Sequence, residues 1–497
     1  MKIVYKSINA LLTLVILLLG ITGCKKFVTV DTPITQVSTE NAFKSDANAA
    51  AVVTGIYAKM SNNYINTYNI GATCFYAELS ADNLVINPDG RQDLSPWYQN
   101  ALEPTYSTIG GIYWNTIYTQ MYTINSSIEA LTDNKDITPT VSKRLLGEAY
   151  FLRGFCYFYL ANLYGDVPLV LSSVYKSNTR IARSSISDVY NQIVIDLNKA
   201  AGLLDNTYVT ADRLTGSDKR IIPNLAAVDA LLARIYLYQK NYAAAETAAS
   251  KVITESALYA FTDLSGAFLA NSKETIWAIQ PVNLGYNTFE AQLYTLPDGG
   301  PDYERPAYLS ASLMNTFEPG DDRKNKWVGT IEIKDGEGNV TNTYNYASKY
   351  KTTFIDGSKN FVEYPIVLRL AEQYLIRAEA RSEQGNTTGA IDDLNALRTR
   401  SRAASTVDVP NPLPNLSASL SKDQLKPIIL KERRVELFTE WGHRWFDLKR
   451  TNTIDAVMVP ATATKGGTWA AYKALYPIPV SEILLNSLLT QNPGYTK

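Results

Sequence analysis

Carboxylates, guanidinium groups and an imidazole crowd into one stretch near the C-terminal end, KERRVELFTEWGHRWFDLKR (431–450). It holds Glu432, Glu436, Glu440 and Asp447, six basic side chains, and His443, the single histidine of the chain. Such groups are the raw material of general acid–base catalysis. Their spacing argues for another role. The glutamates recur at i, i+4 and i+8, side by side along one face of a helix expected over 422–441. Two carboxylates that cleave a glycosidic bond must face each other across it, usually from separate elements. Like charges in a row also repel, and Arg433, Arg434, Arg444 and Lys449 are near enough to neutralise them. Val435, Phe438, Trp441 and Trp445 supply an apolar side. The stretch therefore reads as an amphipathic helix bracing a turn through ion pairs. His443, directly after Gly442, reads as a cap or packing group.

Other catalytic chemistries lack their residues. One histidine excludes a bis-His metal site, and Cys24, Cys74 and Cys156 are the only cysteines, too few for a zinc cluster once Cys24 is set aside as a processing site. The GxxxxGK[ST], HExxH and GxSxG patterns do not occur. No metal or cofactor is expected. A net charge of −1 gives no sign of a nucleic-acid surface. Tyrosine is the unusual component, with 33 copies against 14 phenylalanines. Its ring packs while its hydroxyl stays wet, which suits helix seams and sugar-stacking surfaces alike.

The positioning elements are mainly helices. Apolar periodicity and stop signals predict them over 46–60, 112–131, 142–164, 184–204, 224–239, 242–255, 366–384, 387–401 and 422–441. Two pairs resemble each other. Ala233 is followed by Ala245, Ala249 and Val252, and Ala378 by Ala390, Leu394 and Leu397, with the same offsets of 12, 4 and 3. Small residues facing small or apolar ones allow close helix hairpins, and the spacing fits tetratricopeptide units. Residues 265–365 break this pattern with glycine, proline, asparagine and tyrosine. Within them, ETIWAIQP and TIEIKDGEGNVTNTYNY read as short strands, the second around a turn. Two long irregular stretches remain, 81–111 and 281–310. They are too aromatic for ordinary disorder, and long loops on a rigid scaffold commonly carry function.

The first residues bear on the compartment. Lys2 and Lys6 precede the apolar run ALLTLVILLLG (10–20), and ITGC follows. The run is short for a membrane span, and a cysteine after a small residue matches a bacterial lipobox. Residues 1–23 are expected to be a signal peptide and 24–45 a tether lipidated at Cys24, held at a membrane without crossing it. A plain signal-anchor helix is the alternative. Cys74 and Cys156 are left either as a disulfide or as separate buried thiols. The apolar surroundings of Cys156 in YFLRGFCYFYLANLY favour the second.

Taken in order, these segments resemble the SusD/RagB family of outer-membrane nutrient-binding lipoproteins from Bacteroidetes. ITGC is similar to its lipobox, followed by FVTVDTP. GEAYFLRGFCYFYLANLYGDVPLV (147–170) resembles its long helix and Tyr-Gly-x-x-Pro-Leu turn. AVDALLARIYLYQKNYAAAETAASKVI and LRLAEQYLIRAEA resemble its repeat helices. ERRVELFTEWGHRWFDLKR resembles its late Arg-Trp-x-Asp-Leu-x-Arg signature, with Phe446 at the variable place, and LYPIPVSEILLNSLLTQNPGY (475–495) its closing segment.

The resemblance implies a mostly α fold, with about four tetratricopeptide-like helix pairs as a scaffold plus irregular loops and short strands. It implies one domain over 46–497, with an N-terminal half of about 46–260 and a C-terminal half of about 261–497. It also implies non-catalytic binding of a glycan at the cell surface and delivery to a SusC-like TonB-dependent transporter. Sugars offer apolar ring faces and rims of hydroxyls, so aromatic platforms and polar side chains are the groups to seek in the loops. Candidates are Asp89, Arg91, Trp97 and Tyr98 in the first loop, and Tyr286, Asn287, Tyr294, Asp302 and Tyr303 in the second, with Trp97, Tyr286 and Tyr303 as platforms. Three other readings stay open: a peptide or glycopeptide binder of the same fold, a glycosidase using facing loop carboxylates such as Asp89 and Asp302, and a protein-interaction scaffold.

Overall fold

The computed structural model describes residues 39–61, 70–86, 91–105, 111–283, 285–354 and 361–496. The expected signal peptide, Cys24, most of the tether and Asp89 lie outside the described residues. Long helices dominate. Asp46–Ser61, Gly111–Leu131 and Pro139–Tyr164 come first, then Ile186–Leu203, Leu225–Tyr238 and Tyr242–Thr254. After the irregular middle come Leu370–Glu383, Thr387–Arg400, Lys422–Leu437 and His443–Arg450. No described helix is long and apolar enough to cross a membrane.

Local chemistry sets the helix ends. Pro139 opens its helix where a missing N–H costs nothing, and Gly165, at φ +77°, closes it. Asn224, Asn241 and Asn386 cap three helices, each accepting a hydrogen bond from a backbone N–H three residues on. Ser421 and Gln424 form a capping box at the start of Lys422–Leu437.

The two matched helix pairs pack as their small residues imply. Ala233, Ala245, Ala249, Val252, Ala378, Ala390, Leu394 and Leu397 are all fully buried. The pairs also meet each other across the intervening sequence, where Arg381 donates to Glu246 at 2.9 Å. One connected apolar core runs from Ala42 to Leu489, and a smaller one lies under the 370–437 helices.

Two expected helices are shorter than their patterns. Residues 366–369 are a strand, Ile366–Arg369, paired antiparallel with Thr275–Ala278. The β-branched start of IVLR finds a partner from nearly a hundred residues earlier, and the helix begins only at Leu370. The 422–441 helix ends at Leu437. Thr439, Trp441 and Gly442 have positive φ, and a Cβ on Gly442 would lie 2.8 Å from that of Ala77. The glutamates are therefore no continuous stripe, because Glu440 sits in the turn.

Two further strand pairs organise the loops. Val328–Lys334 and Val340–Ala347 form the expected hairpin. Leu84–Ile86 pairs with Ala307–Leu309, register Leu84↔Leu309. That pairing ties the first long loop to the second.

Candidate functional site

The charged stretch is closed to any ligand. Glu432, Glu436 and Glu440 are all buried. Glu436 meets Arg369 and Arg400 at 2.6 Å and Arg323 at 2.8 Å. Glu440 binds Arg369 at 2.7 Å and also meets Lys349, while Glu432 binds Arg323 at 2.6 Å. Burial pushes the Lys349 ammonium down to about 8, although Glu440 opposes the shift. His443 is buried too. Burial, then the field of Arg234, Arg433 and Arg369, holds it well below the usual imidazole range, so it is neutral. A neutral imidazole packed under the 438–442 turn has no route to substrate. Among the described residues no group of His, Cys, Asp and Glu could hold a metal ion.

The loops place the predicted residues at three depths. Trp97 is 1% exposed, with its ring centroid 4.9 Å from Tyr76 and 5.0 Å from Tyr476. It is a core residue and presents no face to an outside ligand, contrary to expectation. Its helix, Ser95–Tyr98, is a single turn pinned against the core, so the apolar ring is drawn inward. Asn287 is buried with its amide donating to Glu363 at 2.8 Å. Tyr294 is buried with its hydroxyl donating to the Cys74 carbonyl at 2.8 Å. Neither reaches the surface. Tyr98 is half-buried, with Lys465 Nζ 4.8 Å from its ring centroid, and burial pushes its hydroxyl up to about 12.

Tyr286, Asp302 and Tyr303 do reach the surface. Tyr286 forms a β-bridge with Phe354, and their rings stack at a tilt, centroids 5.2 Å apart. The backbone N–H of Asn287 donates to the Thr353 carbonyl at 3.2 Å, fixing the same junction. Phe354 is 65% exposed and Tyr303 is 62% exposed. A concavity of about 180 Å³ is lined by Tyr286, Phe289, Gln292, Leu293, Glu304, Arg305, Thr353 and Phe354, and Tyr303 precedes the lining residue Glu304.

Arg91 lies beneath Tyr303. Its guanidinium carbon is 4.7 Å from the ring centroid, and Nη1 donates to the Tyr303 carbonyl at 3.0 Å. Its other face grips Asp93 through two bonds of 2.7 Å. The planar fork is thus occupied on both sides, and it carries the tyrosine rather than contacting ligand. Arg305 pairs with Asp302 at 3.2 Å and with Glu304 at 3.6 Å.

Sequence reasoning missed Phe354, Gln292, Glu304 and Arg305. Three of these lie inside the aromatic loop 281–310, but nothing in their local pattern separates them from Asn287 or Tyr294. Phe354 joins the site only through its bridge to Tyr286. Cys74 and Cys156 are each buried and unpaired, and burial pushes the Cys156 thiol up to about 12.

A mostly helical scaffold holds the aromatic loops and the groove, and the comparisons give its family. Residues 315–495 match the family model described as "SusD family", and 26–237 match the one described as "Starch-binding associating with outer membrane". The chain belongs to the SusD/RagB family. It is 26% identical to SusD-like protein P2 of Formosa agariphila, over 97% of this chain and 99% of that one. It is also 26% identical to the starch-binding protein SusD of Bacteroides thetaiotaomicron, over 73% and 75% respectively. A solved structure described as a laminarin-binding SusD-like protein superposes with a TM-score of 0.67 at 23% identity, covering 90% of this chain and 99% of that one.

Proposed function

We propose that this chain is a lipid-anchored, surface-exposed outer-membrane protein that captures a glycan without cleaving it and hands it to a SusC-like TonB-dependent transporter. The observation that carries the reading is the groove lined by the Tyr286–Phe354 pair, with the exposed Tyr303 next to its lining residue Glu304. Exposed rings suit the apolar faces of sugar units, and Gln292, Glu304 and Arg305 suit their hydroxyls. The groove rests on a helical scaffold braced by buried ion pairs, so its rings are pre-placed and binding orders little. The family supports the same reading, since two of the names above specify starch and laminarin as what those relatives bind. Anchoring through Cys24 follows from the ITGC motif and the basic, apolar residues before it.

The test is calorimetric titration of the protein against soluble starch, laminarin and a peptide panel, with every mixture assayed for cleavage. Saturable binding of a glycan, no product, and weaker binding by Tyr303→Ala are expected. Hydrolysis abolished by Asp302→Asn would replace capture with catalysis, and binding confined to peptides would change the ligand class. Co-purification of a TonB-dependent transporter with the protein from its native membrane tests the partner.

A further inference from the structure

The charges around the groove carry information about its ligand that the aromatic rings do not. Two ionic side chains of one loop line it, Glu304 and Arg305, and Asp302 of the same loop pairs with Arg305. Arg305 is the only cation among the described lining residues, and both carboxylates hold it. Arg91, buried under Tyr303, is paired with Asp93. The Asp302–Arg305–Glu304 cluster therefore carries one surplus negative charge. Glu304, whose side chain is 80% exposed, projects that charge into solvent.

We propose that the groove selects a neutral glycan and disfavours chains that bear carboxylate or sulfate groups. This inference rests on the glycan reading above. A carboxylate accepts hydrogen bonds from paired sugar hydroxyls, and charged acceptors make the stronger bonds. Glu304 is placed to do this beside Tyr303. A uronate or sulfate at the same place meets Glu304 as a like charge. To bind, it would have to take Arg305 from Asp302, whose carboxylate also accepts the Arg305 backbone N–H at 2.6 Å. The loop would lose its own turn contacts to accommodate the anion. Selection then works through repulsion as well as attraction.

The experiment uses the purified full-length lipoprotein in a detergent without a sugar headgroup. It is titrated with soluble starch and laminarin, and with carboxymethyl starch, laminarin sulfate and alginate, at low and at physiological salt. Carboxymethyl starch and laminarin sulfate are each expected to bind at least about tenfold more weakly than their neutral parents at low salt, and alginate more weakly than either neutral polymer. Added salt should narrow the gap because the opposing charges are exposed. Glu304→Gln should narrow it as well, by helping the anionic polymers more than the neutral ones.

Anionic polymers that bind as tightly as the neutral ones, with Tyr303→Ala weakening both, would overturn the inference and leave the glycan site standing. A preference for neutral chains that Glu304→Gln leaves unchanged would also overturn it. Binding by none of the five polymers, or binding indifferent to Tyr303→Ala, would remove the glycan groove itself, and the inference would fall with it.

Discussion

Glu436→Gln separates scaffold from active site at the stretch where the sequence looks most catalytic. Glu436 is fully buried and meets three guanidinium groups, those of Arg323, Arg369 and Arg400. Glutamine keeps the shape and one acceptor but loses the charge, so the three arginines are left facing each other in a low-dielectric interior. Breaking a buried ion pair by neutralising one partner costs about 3–5 kcal/mol. Glu274, Glu440 and Asp321 stay close to the same arginines, which places the expected cost near 4 kcal/mol. Unfolding entropy of about 2.1 cal/mol/K per residue gives about 1 kcal/mol/K over 497 residues. The thermal midpoint should therefore fall by about 4 °C.

The loss should also depend on pH. Burial alone would raise the Glu436 carboxyl, but Arg400, Arg369 and Arg323 outweigh it and hold the group well below the ordinary carboxylate value. A depressed carboxyl stabilises the fold above its unfolded pKa of about 4.3, and the stabilisation is lost as pH falls through the folded value. The gap between wild type and Glu436→Gln should be constant near neutrality and close only under strong acid. Scanning calorimetry from about pH 8 down to about pH 2, with glycan titration at 25 °C, reads both quantities. An unchanged midpoint together with lost binding would refute the structural role and return these carboxylates to ligand chemistry.

Three further outcomes are expected. Tyr303→Ala should weaken glycan binding about fivefold while leaving the thermal midpoint within about 1 °C, because the ring is exposed and a lost aromatic contact is worth about 1 kcal/mol; a large drop in midpoint would mean the ring holds the loop instead. Trp97→Ala should do the reverse, costing about 3–5 kcal/mol of stability as a large buried ring leaves a cavity, and calorimetry showing no destabilisation would return Trp97 to the surface. Cys74 and Cys156 should resist a thiol-specific chromophoric reagent in the native protein and both react after denaturation without reductant; failure to react in denaturant would mean that they are joined.

Helix content and pairing were legible because they depend on local periodicity. Ala233 and Ala378, with their partners at matched offsets, announce close packing through side-chain size alone. The errors fall where a distant segment competes with local preference. Residues 366–369 continue a helical pattern, yet Thr275–Ala278 offers them a ladder, and only the assembled chain brings that partner close. The Lys422–Leu437 helix stops where Gly442 must approach Ala77, a contact across more than three hundred residues that no periodicity encodes.

The candidate site divides the same way. Residue type nominated the two aromatic loops as regions, but it could not order Trp97, Tyr294 and Tyr303 by depth. Each is an aromatic in an irregular stretch, and burial is decided by what packs above it. Trp97 is covered by Tyr76 and Tyr476, whereas Tyr303 is lifted outward on Arg91.

The sequence by itself determined the helical class, the family, the structural character of the charged stretch and the position of the two aromatic loops. Those features are carried by spacing and by residue chemistry that act over a few turns. Only the tertiary structure decided which aromatic rings face solvent, that Phe354 joins Tyr286, and that Tyr303 rests on Arg91. Each of these is a contact between segments far apart in the chain, fixed by the shared core and by strand pairs such as Leu84–Ile86 with Ala307–Leu309.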